Sequence, residues 1–381
     1  MDFRLTEEQE FIQQAARDFA QKEIKPGAGE RDEKAEFPAE IIKSMGELGF
    51  MGIAIPEEHG GAGTSNISYV LALEEISKAD AGVGVIMSVN NSLCCDPLYH
   101  FGNDDIKKRY LAKLASGEWL GAYALTEPGA GSDAGSLTTT AVKDGNEYVL
   151  NGTKAFITNG DSCDLLVTYA KTDPDAPSGK GITAFAIEKG TPGFNVGKHE
   201  DKLGIRCSDC VSIIFEDCRV PAENIIGEVG QGFKVALATL DVGRIGIGAQ
   251  ALGIAQASLE ESLSYSSERV QFGKPIAAFQ AIQWKIADMA MEIAGARLLL
   301  LHAAWMRDEG MRHTLESSMG KLFASESAMR AALQAVQIHG GYGYIKEYPV
   351  ERHMRDAKIT EIYEGTSEVQ RLVIARNLMA K

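Results

Sequence analysis

The four residues Tyr363-Glu364-Gly365-Thr366 interrupt a helical repeat. Ile359, Ile362, Val369, Leu372 and Ile374 recur around them at roughly helical spacing. Glycine costs about 1 kcal/mol inside a helix, and a carboxylate directly before it gains no obvious packing. An acid on a broken helix raises the question of what it faces. A second segment, Tyr123-Ala-Leu125-Thr126-Glu-Pro-Gly129-Ala-Gly131-Ser132-Asp133, exposes backbone at its glycines and hydroxyls at Thr126 and Ser132. It can donate N–H groups to an anionic or heteroaromatic ligand, or form an ordinary β-turn. Its Gly129-x-Gly131-x-x-Ala134 spacing fits the letters of the dinucleotide fingerprint. That fingerprint needs a helix next and a βαβ frame, whereas Ser136-Leu-Thr-Thr-Thr-Ala-Val reads as strand. Phe156-Ile157-Thr158 follows an Asn151-Gly hairpin signal. Arg269-Val-Gln-Phe272-Gly273 ends a helix, where an arginine can face phosphate or cap the last carbonyls. Gln337-Ile-His-Gly340-Gly341-Tyr-Gly343 ends another, letting backbone approach a ligand or merely turn.

The elements that must position these residues fall into three textures. Residues 1–118 show helical periodicity: Phe11, Ala15, Phe19 and Ile24 form one stripe, Phe37-Pro38 opens another helix, and Ile67–Ile76 continues the pattern. Residues 119–225 carry short apolar runs at 148–150, 165–167, 182–187 and 211–215, separated by Asp-Gly, Asn-Gly, Pro-Gly and Ser-Gly signals. They read as a mostly antiparallel β domain. Residues 226–381 return to helix, expected at about 231–267, 276–309, 314–339 and 359–379. The fold class is therefore α+β and multidomain: N-terminal helices, a middle sheet and C-terminal helices that suggest a bundle. A chain of 381 residues exceeds one ordinary core.

A net charge of −15 argues against a nucleic-acid backbone or an anionic membrane surface as partner. No apolar run reaches the roughly 18 residues of a membrane span, so no membrane insertion is expected. The N-terminus shows no basic start followed by an apolar stretch, making cytoplasmic location the default expectation. Six cysteines include Cys207-Ser-Asp-Cys210, but no second pair or nearby histidines complete a zinc set. No metal site is expected, and the seven scattered histidines read as structural.

Taken in order, LGIRCSD, IFEDCRVP, TLDVGRIGIGAQALGIAQ, ERHMRDAKITEIYEGTSEVQRLVIA and VNNSL resemble the acyl-CoA dehydrogenase family, nearest its short-chain (butyryl-CoA) branch. The resemblance spans essentially the whole chain and implies helical, β and four-helix-bundle domains, FAD, acyl-CoA substrate and a homotetramer. It also implies electron-transfer flavoprotein as partner and a place in fatty acid β-oxidation. It assigns Glu364 as the base that removes the α-proton while a hydride leaves the β-carbon for the flavin N5, giving a trans-2-enoyl-CoA. Shielding from water raises a carboxylate's pKa towards that of the activated substrate. Some relatives carry the base on another helix, where this chain has Gly243. The resemblance places Tyr123, Leu125, Thr126, Gly131, Ser132, Phe156, Ile157 and Thr158 at the flavin. Arg269, Phe272, Gln280, Gln337, Gly340, Gly341, Thr366 and Glu368 would hold its diphosphate and adenosine, some from a neighbouring subunit. Ser132, Asp241, Arg244 and Gly365 would touch the CoA thioester.

One departure leaves two readings open. Where short-chain members have an apolar stretch, this chain has Cys94-Cys95-Asp96-Pro97. Asp96 before proline is a normal helix start; alternatively, Cys95 or Asp96 shapes the acyl pocket for a branched, dicarboxylic or alicyclic acyl group. An oxidase, and a non-catalytic flavin-binding relative, are the further alternatives. Oxidase relatives usually carry an extra C-terminal domain, and a binding relative should show a basic surface and a lost base.

Overall fold

The computed structural model describes residues 4–380. Its first segment holds α1 (Glu7–Phe19), α2 (Ala28–Lys34), α3 (Ala39–Glu47), α4 (Asn66–Ala79), α5 (Ala81–Ser88), α6 (Asp96–Phe101), α7 (Asp104–Ile106) and α8 (Ala112–Ala115). A capping box opens α1: Gln9 N–H donates to Thr6 Oγ1 and Thr6 N–H donates to the Gln9 side chain. Between α5 and α6 the chain runs as a π-helical segment over Val89–Cys95. There Asn90 donates to the carbonyls of Met51 and Leu114 and accepts from Gly121 N–H, 2.8 Å away. This one side chain ties the helices to the first strand.

The middle segment contains β1 (Gly121–Ala124), β2 (Thr140–Asp144), β3 (Glu147–Thr158), β4 (Leu165–Lys171), β5 (Ile182–Glu188), β6 (Phe194–His199), β7 (Cys210–Pro221) and β8 (Ile225–Ile226). They form one sheet in the order β6-β7-β3-β2-β4-β5-β8, with β1 parallel to β4. All other pairs are antiparallel except a single parallel β2–β4 register. Alternation along β4 sends Leu166 and Ala170 into the sheet's own core and Val167 and Tyr169 towards the helices. No helix follows the Gly129–Ala134 turn, only one 3₁₀ turn at Ala134–Ser136, so the dinucleotide frame is absent there.

The last segment comprises α9 (Gly232–Glu268), a small hairpin β9 (Val270–Gln271) and β10 (Lys274–Pro275), α10 (Gln280–Asp308), α11 (Thr314–His339), α12 (Val350–Thr360) and α13 (Ser367–Met379). The final helix expected at 359–379 is thus two helices, starting nine residues earlier and broken between Thr360 and Ser367. By length and composition α9 could cross a membrane, but 78% of its apolar window is buried inside the protein. It is the central core helix, packed on α4, α10, α11 and α12. Its small residues permit that closeness: a methyl group at Gly246 would overlap or crowd Ser88 and Tyr69, and one at Gly253 would strike the Glu74 backbone.

Candidate active site

Glu364 sits in the tight turn between α12 and α13, and the turn's backbone explains its glycine. Glu364 has φ +52° and Gly365 φ +97°, two consecutive left-handed residues. A side chain at 365 would also meet Gln370 Nε2 at 2.7 Å. Thr366 closes the turn by accepting from Val369 N–H, capping α13. Gln370 Nε2 donates to the carbonyls of Glu364 and Gly365 at 3.2 and 2.9 Å, and Lys321 Nζ donates to Gly365 O at 2.7 Å. Among the described residues nothing accepts from the Glu364 N–H.

The carboxylate points at α9. Gly243 leaves room for Glu364 Oε2, which a methyl there would overlap, and Leu93 lies near the same point of α9. Oε2 is buried and has no hydrogen-bond partner. Burial raises Glu364 to about 7, an effect that Lys321 and Arg244 oppose. Asp241 accepts from Arg244 at 2.5 Å and from Thr314 Oγ1 at 2.6 Å; Arg244 also reaches Ser318 while its Nε is left unpaired. Asp241 and Arg244, one helical turn apart, therefore lie beside the Glu364 turn.

Tyr123 on β1 comes close enough for the Glu364 charge to act on it, and its buried hydroxyl lies beside that of Tyr169, the two rings 5.4 Å apart. Leu125 and Ile157 are buried, Thr126 and Thr158 partly so, and Gly131 and Ser132 exposed. The Leu125–Ala130 turn is held by the Glu127 carboxylate. Glu127 accepts from Thr138 N–H, Thr138 Oγ1, Thr139 N–H and Lys154 Nζ, at 2.6, 2.7, 3.0 and 2.8 Å. Phe156 has φ +58° and stands 65% exposed at this edge. A methyl group at Gly129 or Gly131 would meet no protein atom, so that edge is free to take a flat, polar-rimmed ligand.

The other proposed cofactor residues form a second group. Arg269 lies over the Tyr342 ring, 5.4 Å from its centroid, bringing the α9–α10 connector to the glycine run after α11. Phe272 is 94% exposed with φ +52°, and Gln280, Gln337, Gly340 and Gly341 are exposed with open space at both glycines. No hydrogen bond or ring contact among the described residues joins this group to the Tyr123–Thr158 edge. Thr366 serves as the α13 cap and Glu368 is exposed in its first turn.

Asp96 begins α6, and it also pairs with Arg307 at the wall of a cavity of about 300 Å³. Val242 and Ser92, chain neighbours of Gly243 and Leu93, line that cavity, while Glu364 does not. Cys95 turns away, its thiol directed at the Met51 carbonyl. Cys207 is buried against Asp80, and no group of three His, Cys, Asp or Glu among the described residues is arranged to hold a metal.

Sequence reasoning did not find Lys321, Gln370, Lys154 or Arg307. Buried lysines run against the usual partition. A signal did exist for Lys321: its α11 neighbours one turn away are Ser317, Ser318, Ala324 and Ser325, small residues that mark a buried face.

Three family models match the chain in order: acyl-CoA dehydrogenase N-terminal domain over residues 6–118, middle domain over 122–218 and C-terminal domain over 230–379. A short-chain-specific acyl-CoA dehydrogenase of Clostridium acetobutylicum is 52% identical over 375 residues, covering 98% of this chain and 99% of that protein. Butyryl-CoA dehydrogenase of Megasphaera elsdenii superposes with a TM-score of 0.98 at 49% identity, over all of both chains. A chain from structural work on the electron transferring flavoprotein of Acidaminococcus fermentans and flavin-based electron bifurcation gives 0.99 at 51%, again over both whole chains.

Proposed function

The chain belongs to the acyl-CoA dehydrogenase family, and from that premise we propose that it desaturates a short acyl-CoA thioester between Cα and Cβ, with Glu364 as the base. Electrons pass to an electron-transfer flavoprotein. Relatives near 50% identity over nearly the full chain support the short-chain reading. The observation that carries the residue assignment is the Glu364 carboxylate: one oxygen buried and unpaired, a pKa near neutrality, and room made for it by Gly243.

FAD is the family's cofactor, and the open, glycine-rich edge beside Tyr123 and Thr126 fits such a group. Tyr123, Leu125, Thr126, Gly131, Ser132 and Phe156–Thr158 would hold its flavin end. Arg269, Phe272, Gln280, Gln337, Gly340 and Gly341 would hold the diphosphate and adenosine of a cofactor bound mainly by a neighbouring subunit. That division explains why the two groups do not meet within one chain, and it makes a homotetramer part of the site. When bound, FAD supplies the hydride acceptor.

The protein residues handle the proton and the thioester. An unactivated α-carbon is a poor acid, so the thioester oxygen must be stabilised as negative charge grows on it. The free N–H of Glu364 is available for that oxygen, and the left-handed turn presents it on the same residue that takes the proton. A carboxylate with a pKa near 7 is half ionised at neutral pH and strong enough to accept a proton from an activated α-carbon. Asp241 and Arg244, with Ser132, would receive the polar pantetheine arm. In the cell this chemistry belongs to fatty acid β-oxidation in the cytoplasm.

Anaerobic mixing of the purified yellow enzyme with butyryl-, isobutyryl-, glutaryl- and cyclohexanecarboxyl-CoA tests the proposal. Flavin bleaching should be fastest with butyryl-CoA, and reoxidation should need electron-transfer flavoprotein and proceed slowly in air. No bleaching with any of the four would refute it.

A further inference from the structure

Lys321 on α11 is fully buried, and among the described residues no carboxylate forms an ion pair with it. Its hydrogen bond goes to a main-chain carbonyl, Gly365 O, at 2.7 Å. Removing an ammonium from water costs several kcal/mol, and an apolar side chain of similar volume would serve the fold as well or better. Packing alone therefore gives no reason for a lysine here. Its α11 neighbours Ser317, Ser318, Ala324 and Ser325 are small and buried with it.

That turn needs restraint. A non-glycine residue in the left-handed region costs about 1 kcal/mol or more, and Glu364 occupies it directly before Gly365 does the same. Two side chains converge on the Gly365 carbonyl, Gln370 from α13 and Lys321 from α11. Only Lys321 brings charge. The charged groups acting on it are Glu364, Arg244, Glu361 and Glu368, and those acting on Glu364 are Lys321 and Arg244. Burial pulls Lys321 down to about 8, with Glu364 holding it up, so it keeps its proton at neutral pH.

We propose that Lys321 is a positioning residue for proton abstraction: its ammonium clamps the Gly365 carbonyl, fixes the direction of Glu364 and favours the ionised carboxylate before substrate arrives. The inference rests on Glu364 being the base. Arg244 supplies a second cation, but Asp241 neutralises it at 2.5 Å. Lys321 is the unneutralised one.

The test is the pH dependence of kcat/KM with butyryl-CoA for holoenzyme carrying Lys321→Met or Lys321→Arg. This quantity reports ionisations of the free enzyme. The wild-type rate should rise with pH through about 7, because Glu364 must be ionised to act. Without the cation the rising limb should move to higher pH by about one unit. The Met variant is then at least about tenfold slower below the limb and keeps a smaller deficit at alkaline pH from the lost carbonyl clamp, and Lys321→Arg should return the limb to its original place. An unmoved limb in Lys321→Met, with or without a uniform loss of rate, overturns the inference. If that variant does not fold, Lys321→Gln, which can still donate to the carbonyl without charge, takes its place with the same two outcomes. Glu364→Gln separates the layers: if it stays active the base assignment fails, whereas an inactive Glu364→Gln with an unmoved Lys321 limb removes only the role of Lys321.

Discussion

Gly243→Ala adds one methyl group to α9 at the point where Glu364 rests. The methyl would overlap Glu364 Oε2 and come within 2.8 Å of Leu93 Cδ2. Leu93 has a flexible end and can give way. The carboxylate has to move, and restoring ordinary contact distance displaces it by roughly 1 Å or more. A misplacement of that size costs about 100-fold in rate, or about 2.7 kcal/mol of barrier. The fold should hardly notice, because alanine favours the helix interior by about 1 kcal/mol over glycine and offsets the local strain. Stopped-flow flavin reduction under anaerobic conditions, paired with thermal melts, checks both halves. Gly248→Ala is the contrast: its methyl would overlap Leu300, away from Glu364. It should lower the melting temperature while each folded molecule keeps its rate. Flavin reduction within about threefold of wild type in Gly243→Ala would refute the packing of Glu364 against α9.

Asp96→Asn should cost about 2–3 kcal/mol, less than a fully buried pair, because Arg307 loses its partner. Glu364 does not border that cavity, so the order of preference among butyryl-, isobutyryl-, glutaryl- and cyclohexanecarboxyl-CoA should stay as it is. A reordered panel would place Asp96 in the acyl pocket. Lys154→Met strands the buried Glu127 carboxylate under the Leu125–Ala130 turn and should cost about 3–5 kcal/mol and loosen FAD retention. Glu127→Gln/Lys154→Met should recover much of both, as read by denaturant midpoints and by flavin content after gel filtration. Equal losses in the single and double variants would mean that the ion pair does not hold that turn.

The long helices were legible because their ends carry local signals: the expected span 314–339 coincides with α11, and 231–267 lies one residue from α9. The start of α12 was not. Its buried positions are Val350, His353, Asp356, Ala357 and Thr360, so its inner face is largely polar and offers few apolar residues to read a stripe from. Asp356 is instead satisfied by the Ile205 N–H at 2.5 Å, a partner 151 residues away. Distance in sequence hid the Asp96–Arg307 pair in the same way. The broken repeat at Tyr363–Thr366 did mark Glu364, since a glycine that costs helix stability had to be serving the turn. What sequence could not show was the set of atoms restraining that turn, Lys321 and Gln370 from two other helical segments.

The most direct measurement is anaerobic flavin reduction of Glu364→Gln by butyryl-CoA. The variant should fold, hold FAD and bind the thioester, yet reduce its flavin at least 1,000-fold more slowly than wild type, within the roughly 10²–10⁴ that a positioned base supplies. A rate within tenfold of wild type, a barrier change of at most about 1.4 kcal/mol, would contradict the claim that this carboxylate removes the proton.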